Sequence, residues 1–152
     1  MKSHQCVRLA AVLSLAGMLL ASGPLELRAQ GDALSVEKVV GSIDMGKAAL
    51  LQSQGADGSW DAGEGHTIGV TSLATLALLN SGMTADDPQI KKALNYLREV
   101  RVPSLTYEVS LMLMTFAVAK DPKDKLKMQA MAAQIEKAQI TTGQMKGCWS
   151  YH

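Results

Sequence analysis

Apolar residues along this chain recur at helical rather than strand spacing, and the stretches that carry them alternate in character. Over residues 35–54, Val36, Val39, Val40, Ile43, Leu50 and Leu51 share one face, which predicts an amphipathic helix. Gly41 and Gly46 weaken it, each by about 1 kcal/mol relative to Ala where exposed. Residues 67–80 are apolar nearly all round (Ile68, Val70, Leu73, Leu76, Leu78, Leu79), the pattern of a buried helix. Asp87-Pro88 then supplies an N-cap residue followed by proline at the first helical position. Beyond it Ile90, Ala93, Leu94, Leu97 and Val100 form a stripe, with Lys91, Lys92, Asn95 and Arg98 on the wet side. Pro103 ends that helix. Residues 105–119 are again almost wholly apolar, with Val109, Leu111, Met112, Leu113, Met114 and Phe116. Asp121-Pro122 repeats the start signal, and the helix over 122–139 carries Met128, Met131, Ala132, Ile135 and Ala138 on one stripe. No alternating run of branched and aromatic residues appears, so the predicted class is all-α.

The order amphipathic, apolar, amphipathic, apolar, amphipathic has register marks. Ser72-Leu73 and Ser110-Leu111 lie 38 residues apart, and Asp87-Pro88 and Asp121-Pro122 lie 34 apart. Those spacings fit one helical hairpin per repeat, about two and a half hairpins in all, with amphipathic helices outside apolar ones.

The most distinctive segment joins the first two helices: Gln54-Gly-Ala-Asp-Gly-Ser-Trp60. Gly55 and Gly58 permit positive φ where a helix must stop. Gln54 can satisfy backbone groups at a helix end, and Trp60 can cover the joint. A weaker copy returns between Gln139 and Gly147-Cys-Trp149, while the intervening turn near Arg101-Val-Pro-Ser104 lacks the motif. These segments resemble the glutamine-tryptophan turns of the prenyltransferase and squalene-cyclase repeat family. The resemblance covers residues 36–152 and is carried elsewhere by helical rhythm. It implies hairpins that curve into an α/α toroid, with Gln54, Asp57, Gly58, Trp60, Gln139, Gly147 and Trp149 tying helices together rather than performing chemistry. The hairpins here are too few to close a ring, so an N-terminal fragment or a truncated relative is the expectation.

Composition changes the picture at the N-terminus. Lys2 and Arg8 precede the apolar run of residues 9–21, too short to span a bilayer comfortably, and Leu27-Arg-Ala29 offers a cleavage site. Residues 1–29 are expected to be a signal peptide, and residues 30–152 an exported domain, periplasmic or extracellular. The alternative is an uncleaved N-terminal anchor. Removing the leader takes three of the 15 basic and one of the 14 acidic residues, leaving a net charge of about −1. A near-neutral chain without a basic block has no electrostatic footprint for nucleic acid. Cys6 leaves with the leader, and Cys148 alone cannot form an intramolecular disulfide.

Candidate chemistry is sparse. Cyclases of the resembled family use an Asp-x-Asp-Asp acid, which this chain lacks, and Asp86-Asp87 reads as capping. Aromatic residues that would shelter a carbocation are few: Trp60, Tyr96, Tyr107, Phe116, Trp149 and Tyr151. Protein prenyltransferases of that fold bind zinc through Asp, Cys and His. Cys148 and His152 are four apart and His66 is distant, short of the three ligands a catalytic site needs, so no metal or other cofactor is expected. The thioester domain of the complement proteins, a further relative by fold, has a reactive cysteine before Gly-Glu-Gln, whereas Cys148 precedes Trp149-Ser-Tyr. His66, Tyr107 and Glu108 sit where the apolar helices begin, at a possible cavity mouth. Burial would raise the pKa of Glu108, whereas the first turn of a helix favours its charged form.

Two function classes follow. One is a non-catalytic binding or scaffold module that engages an apolar ligand or a protein partner. The other is the N-terminal part of an isoprenoid cyclase-like enzyme whose catalytic residues lie beyond His152. Residues 105–119 are apolar on nearly every side, which predicts homo-association through that helix.

Overall fold

Five α-helices account for most of the described residues of this computed structural model, which are 35–61, 63 and 65–150. They are α1 (Val36–Ser53), α2 (Thr67–Asn80), α3 (Pro88–Glu99), α4 (Thr106–Ala119) and α5 (Lys125–Lys137), with a 3-10 turn at Pro122–Asp124 before α5. No strand occurs among the described residues, and a single antiparallel bridge joins Gln139 to Trp149. The class is all-α, as the apolar spacing predicts. The predicted leader over residues 1–29 and the terminal His152 lie outside the described residues.

The two apolar helices, α2 and α4, form the most extensive pairing. Small residues let them approach. A Cβ on Gly69 would lie 3.1 Å from Cγ of Glu108, and the Thr115 hydroxyl donates 2.9 Å to the Ser72 carbonyl across the pair. Thr115 also bonds back to Leu111 of its own helix, and Thr75 likewise to Thr71, so these buried hydroxyls have partners. The core is Ala74 and Leu78 of α2, Val109, Met112 and Phe116 of α4, and the buried stripe Ile90, Ala93, Leu94 and Leu97 of α3. From α5 only Met131 is buried. The apolar stripe of α3 therefore faces the core as predicted, while Arg98 of the expected wet side is largely covered.

The spacing of 38 between α2 and α4 reappears in burial. Thr71 and Val109, Ala74 and Met112, and Leu78 and Phe116 are buried pairs at that separation. Both helices also stop on a left-handed residue at equivalent places: φ is +99° at Gly82 and +56° at Lys120.

Two expectations need correction. The apolar face of α1 was expected to be covered, yet no α1 residue is buried and Val36, Val39, Val40 and Ile43 are all exposed. The reason is that α1 touches α2 only lightly, near Leu50 and Leu51. The apolar helices are also not buried on every side: Leu73 of α2 and Met114 and Val118 of α4 face solvent.

Candidate functional site

The first turn is built on the end of α1. Four carbonyls at a helix C-terminus lack intrahelical partners, and here Trp60 Nε1 donates 2.8 Å to the Leu50 carbonyl. Gln54 Nε2 donates to the Gly58 carbonyl and to the Gln89 carbonyl at the start of α3, both at 3.0 Å. Backbone bonds from Gly55 to Ser59 (2.8 Å) and from Gly58 to Gly55 (3.0 Å) close the loop. Gly58 sits at φ +92°, and a Cβ there would meet the Lys92 backbone at 2.6 Å, so both conformation and space demand glycine. The Asp57 carboxylate accepts from the Ser59 N–H and hydroxyl, which hold its pKa below the ordinary 3.8. Trp60 is only 4 % exposed, and its backbone N–H donates to the Thr71 hydroxyl of α2. Tyr96 of α3 has its pKa raised, first by burial and then by the Asp57 and Asp61 charges.

The second turn repeats these bonds on the end of α5. Gln139 Nε2 donates 3.0 Å to the Gly147 carbonyl, and Trp149 Nε1 donates 2.7 Å to the Ile135 carbonyl. The Ile140 N–H donates to Cys148 (2.9 Å) and the Gly147 N–H to Ile140 (2.8 Å), matching Gly55 to Ser59 and Gly58 to Gly55. Gly147 takes φ +87°, the counterpart of Gly58. The loop between glutamine and tryptophan is four residues longer, and the joint closes in the same way. The difference lies in cover. Trp149 is 45 % exposed, whereas Trp60 is packed against α2.

Between α3 and α4, where the motif is absent, side chains of α5 take over. Lys127 Nζ donates at 2.8 Å to each of the Leu97, Arg98 and Val100 carbonyls at the α3 C-terminus. Gln134 Nε2 donates to the Pro103 carbonyl at 2.8 Å. Burial lowers the Lys127 pKa, partly offset by the charge of Asp124. Arg98 reaches Asp124 through two bonds of 2.7 Å and Asp121 through one of 3.1 Å, and its guanidinium lies 6.0 Å from the Phe116 ring centroid. The bond to Asp124 raises the Arg98 pKa. Asp121 also accepts from Lys123, whose ammonium and backbone N–H hold the carboxyl below its ordinary value, while Asp87 turns back onto Thr84 instead of capping α3. Sequence reasoning placed Arg98 on a solvated face and missed this network. Its only visible signal was the Asp121-Pro122 start, which fixes where Asp124 falls.

At the N-terminal ends of α2 and α4 the three predicted mouth residues come together. His66 Nδ1 lies 3.3 Å from Oε1 of Glu108, and the Tyr107 ring approaches Gly69. Glu108 is buried in the first turn of α4, while His66 and Tyr107 remain exposed. The pair is a hydrogen-bonded acid and base with one member open to solvent. Among the described residues no group of three or more His, Cys, Asp and Glu converges as metal ligands do, and Cys148 is exposed. Nor is any helix among them long and apolar enough to cross a membrane. The larger grooves lie away from the mouth residues. One of about 450 Å³ runs between α4 and α5, lined by Leu113, Phe116, Ala117, Met128 and Ala132. No protein-family model, curated protein or solved structure matches the chain.

Proposed function

We propose that this chain is a non-catalytic module of helical-hairpin repeats, exported and acting as a scaffold, built as part of an α/α toroid of the prenyltransferase and squalene-cyclase kind. The observation that carries this reading is the identity of the two turns. Four hydrogen bonds and one left-handed glycine recur 85 to 89 residues apart, at Gln54–Trp60 and at Gln139–Trp149. Chance would not place the same bonds on two loops of different length. A repeat origin does, because each outer helix must be tied off in the same manner before the chain turns inward. The recognisable residues are spent on these joints. Among the described residues, no buried side-chain nitrogen or oxygen lacks a hydrogen-bond partner.

A second reading, part of an isoprenoid cyclase-like enzyme, is favoured by one observation, the buried Glu108 beside His66 at the mouth. Two experiments separate the readings. Replacing residues 139–149 by the shorter segment 54–60 should leave helix content and cooperative unfolding intact if the turns are one repeated joint. A chimera that loses its helices would defeat the repeat reading. Incubation with squalene-type alkenes and linear isoprenoid diphosphates should give no product. Turnover that disappears in Glu108→Gln would replace the scaffold by the enzyme.

A further inference from the structure

The connection from α4 to α5 gathers an excess of positive charge at one end of the apolar groove between those helices. Residues 120–125 hold Lys120, Asp121, Lys123, Asp124 and Lys125, and Arg98 reaches over from α3. Both carboxylates are already satisfied. Asp124 accepts two bonds of 2.7 Å from Arg98, and Asp121 accepts Arg98 at 3.1 Å and the Lys123 ammonium at 2.9 Å. Asp121 lines the groove together with Lys120 and Lys125, but its charge is spent on those partners. Lys120 and Lys125 form no salt bridge among the described residues. Four cations against two carboxylates thus leave two positive charges at the groove end.

The backbone marks the same place. Among the described residues Lys120 alone has positive φ without being glycine, at +56°, and its counterpart 38 residues earlier is Gly82. A side chain in that conformation carries a cost that glycine avoids, and such positions concentrate at ligand clamps and active sites.

Away from the lysines the groove is apolar. Leu113, Phe116 and Met128 line it, in a volume of about 450 Å³ that suits a small molecule. Leu113 and Ala132 each lie seven residues from a lysine of the charged end, so the apolar part runs for about 10 Å. Met128, unbranched and polarisable, can follow a flexible chain.

We propose that this groove binds a medium-chain alkyl carboxylate, its chain against Leu113, Phe116 and Met128 and its head between Lys120 and Lys125. The two uncommitted ammonium groups select an anionic amphiphile over a neutral or cationic one. The short apolar run selects a medium chain over a long one. This site goes beyond the scaffold reading and does not depend on the two turns being repeats.

The test is isothermal titration calorimetry on the full chain. Hexanoate, octanoate and decanoate should bind with affinity rising by up to about fourfold per methylene, as for a buried CH₂, and tetradecanoate should gain nothing further. Decanol and decyltrimethylammonium should bind more weakly than decanoate. The key variant is Lys120→Gly/Lys125→Gln. Glycine is what the equivalent turn carries at Gly82, so the change relieves the backbone, and circular dichroism should show unchanged helix content. The variant should lose about fivefold in decanoate affinity, the worth of two exposed ion pairs, while binding decanol as the parent does. High salt should weaken decanoate in the parent and leave the variant unmoved. Decanoate binding that is unaltered in the folded variant, or no tighter than decyltrimethylammonium in the parent, would overturn the proposal. So would an absence of heat with decanoate at millimolar concentration, and light scattering would then show whether a second copy covers the groove instead. None of these results touches the turn chimera, so failure here and failure of the repeat reading are separately visible.

Discussion

The two tryptophans offer a controlled comparison, since Trp60 and Trp149 make the same indole bond to a helix-terminal carbonyl and differ in cover. Truncating a well-buried Trp to Ala costs about 3–5 kcal/mol, and Trp60 at 4 % exposure belongs in that range. Trp149 at 45 % exposure removes little more than half as much area from water, so its truncation should cost roughly 1.5–2.5 kcal/mol. The lost indole bond adds about 0.5–1.5 kcal/mol in each case and cancels in the comparison. Urea titration of Trp60→Ala and Trp149→Ala should therefore separate the two by about 1.5–2.5 kcal/mol, Trp60 being the larger. In a domain of this size, each kcal/mol moves Tm by roughly 3–6 °C, so thermal scans should rank them identically. Equal losses would mean that Trp149 is covered in solution as Trp60 is. A larger loss for Trp149 would refute the assignment of the first turn as the packed joint.

Gly58→Ala should destabilise markedly more than Gly147→Ala. Both need positive φ, which costs an alanine about 1–2 kcal/mol, but only at Gly58 does the added Cβ strike backbone, at 2.6 Å from Lys92. Denaturation midpoints that fail to separate would contradict the close approach. Asp124→Asn, which leaves Arg98 without its buried carboxylate partner, should cost about 3 kcal/mol by urea unfolding. A neutral result would mean that Arg98 is held by Asp121 alone. For pH dependence, Asp57 and Asp121 have folded pKa values below the ordinary 3.8, so their contribution is fully present above that value. It is lost as pH falls through the depressed values. Stability measured from about pH 5 down to 2 should fall less steeply in Asp57→Asn/Asp121→Asn than in the parent; parallel curves would refute it.

The fold class was legible because the signals are local. The 3.6-residue stripes placed α1, α2 and α4 to within a residue, and Asp87-Pro88 marked the α3 start correctly. By contrast, α3 stops at Glu99, ahead of Pro103, and Asp121-Pro122 opens a 3-10 turn with α5 beginning only at Lys125. The first turn was legible for the same reason: Gln54, Gly58 and Trp60 lie close in sequence, and each does the backbone job its chemistry suits. What sequence could not give was cover. Hydrophobic spacing says which face of α1 is apolar, but burial depends on a neighbour that periodicity does not name, and Val36, Val39, Val40 and Ile43 of α1 stay exposed. The Lys127 and Arg98 contacts were invisible because their partners lie 23 to 30 residues away and carry no spacing rule. The pairing of His66 with Glu108 spans 42 residues and became plain only once α2 and α4 were side by side.

The unequal lengths of the two turns have a practical consequence. The bonds that the second joint shares with the first involve Gln139, Ile140, Gly147, Cys148 and Trp149 with the Ile135 carbonyl, and within the loop the Cys148 N–H also donates to Met145 and the Lys146 N–H to Gly143. The tip between them, Thr141 to Met145, is exposed throughout. The shared bonds are thus specified at the ends of the loop, and Thr141-Thr142, which precedes the two bonds within it, is the place for an insertion. An epitope or reporter spliced between Thr141 and Thr142 would leave the bonds of Gln139, Gly147 and Trp149 in place. The four shared bonds persist across a difference of four residues in loop length, so the bonding pattern of such a joint outlasts its letters.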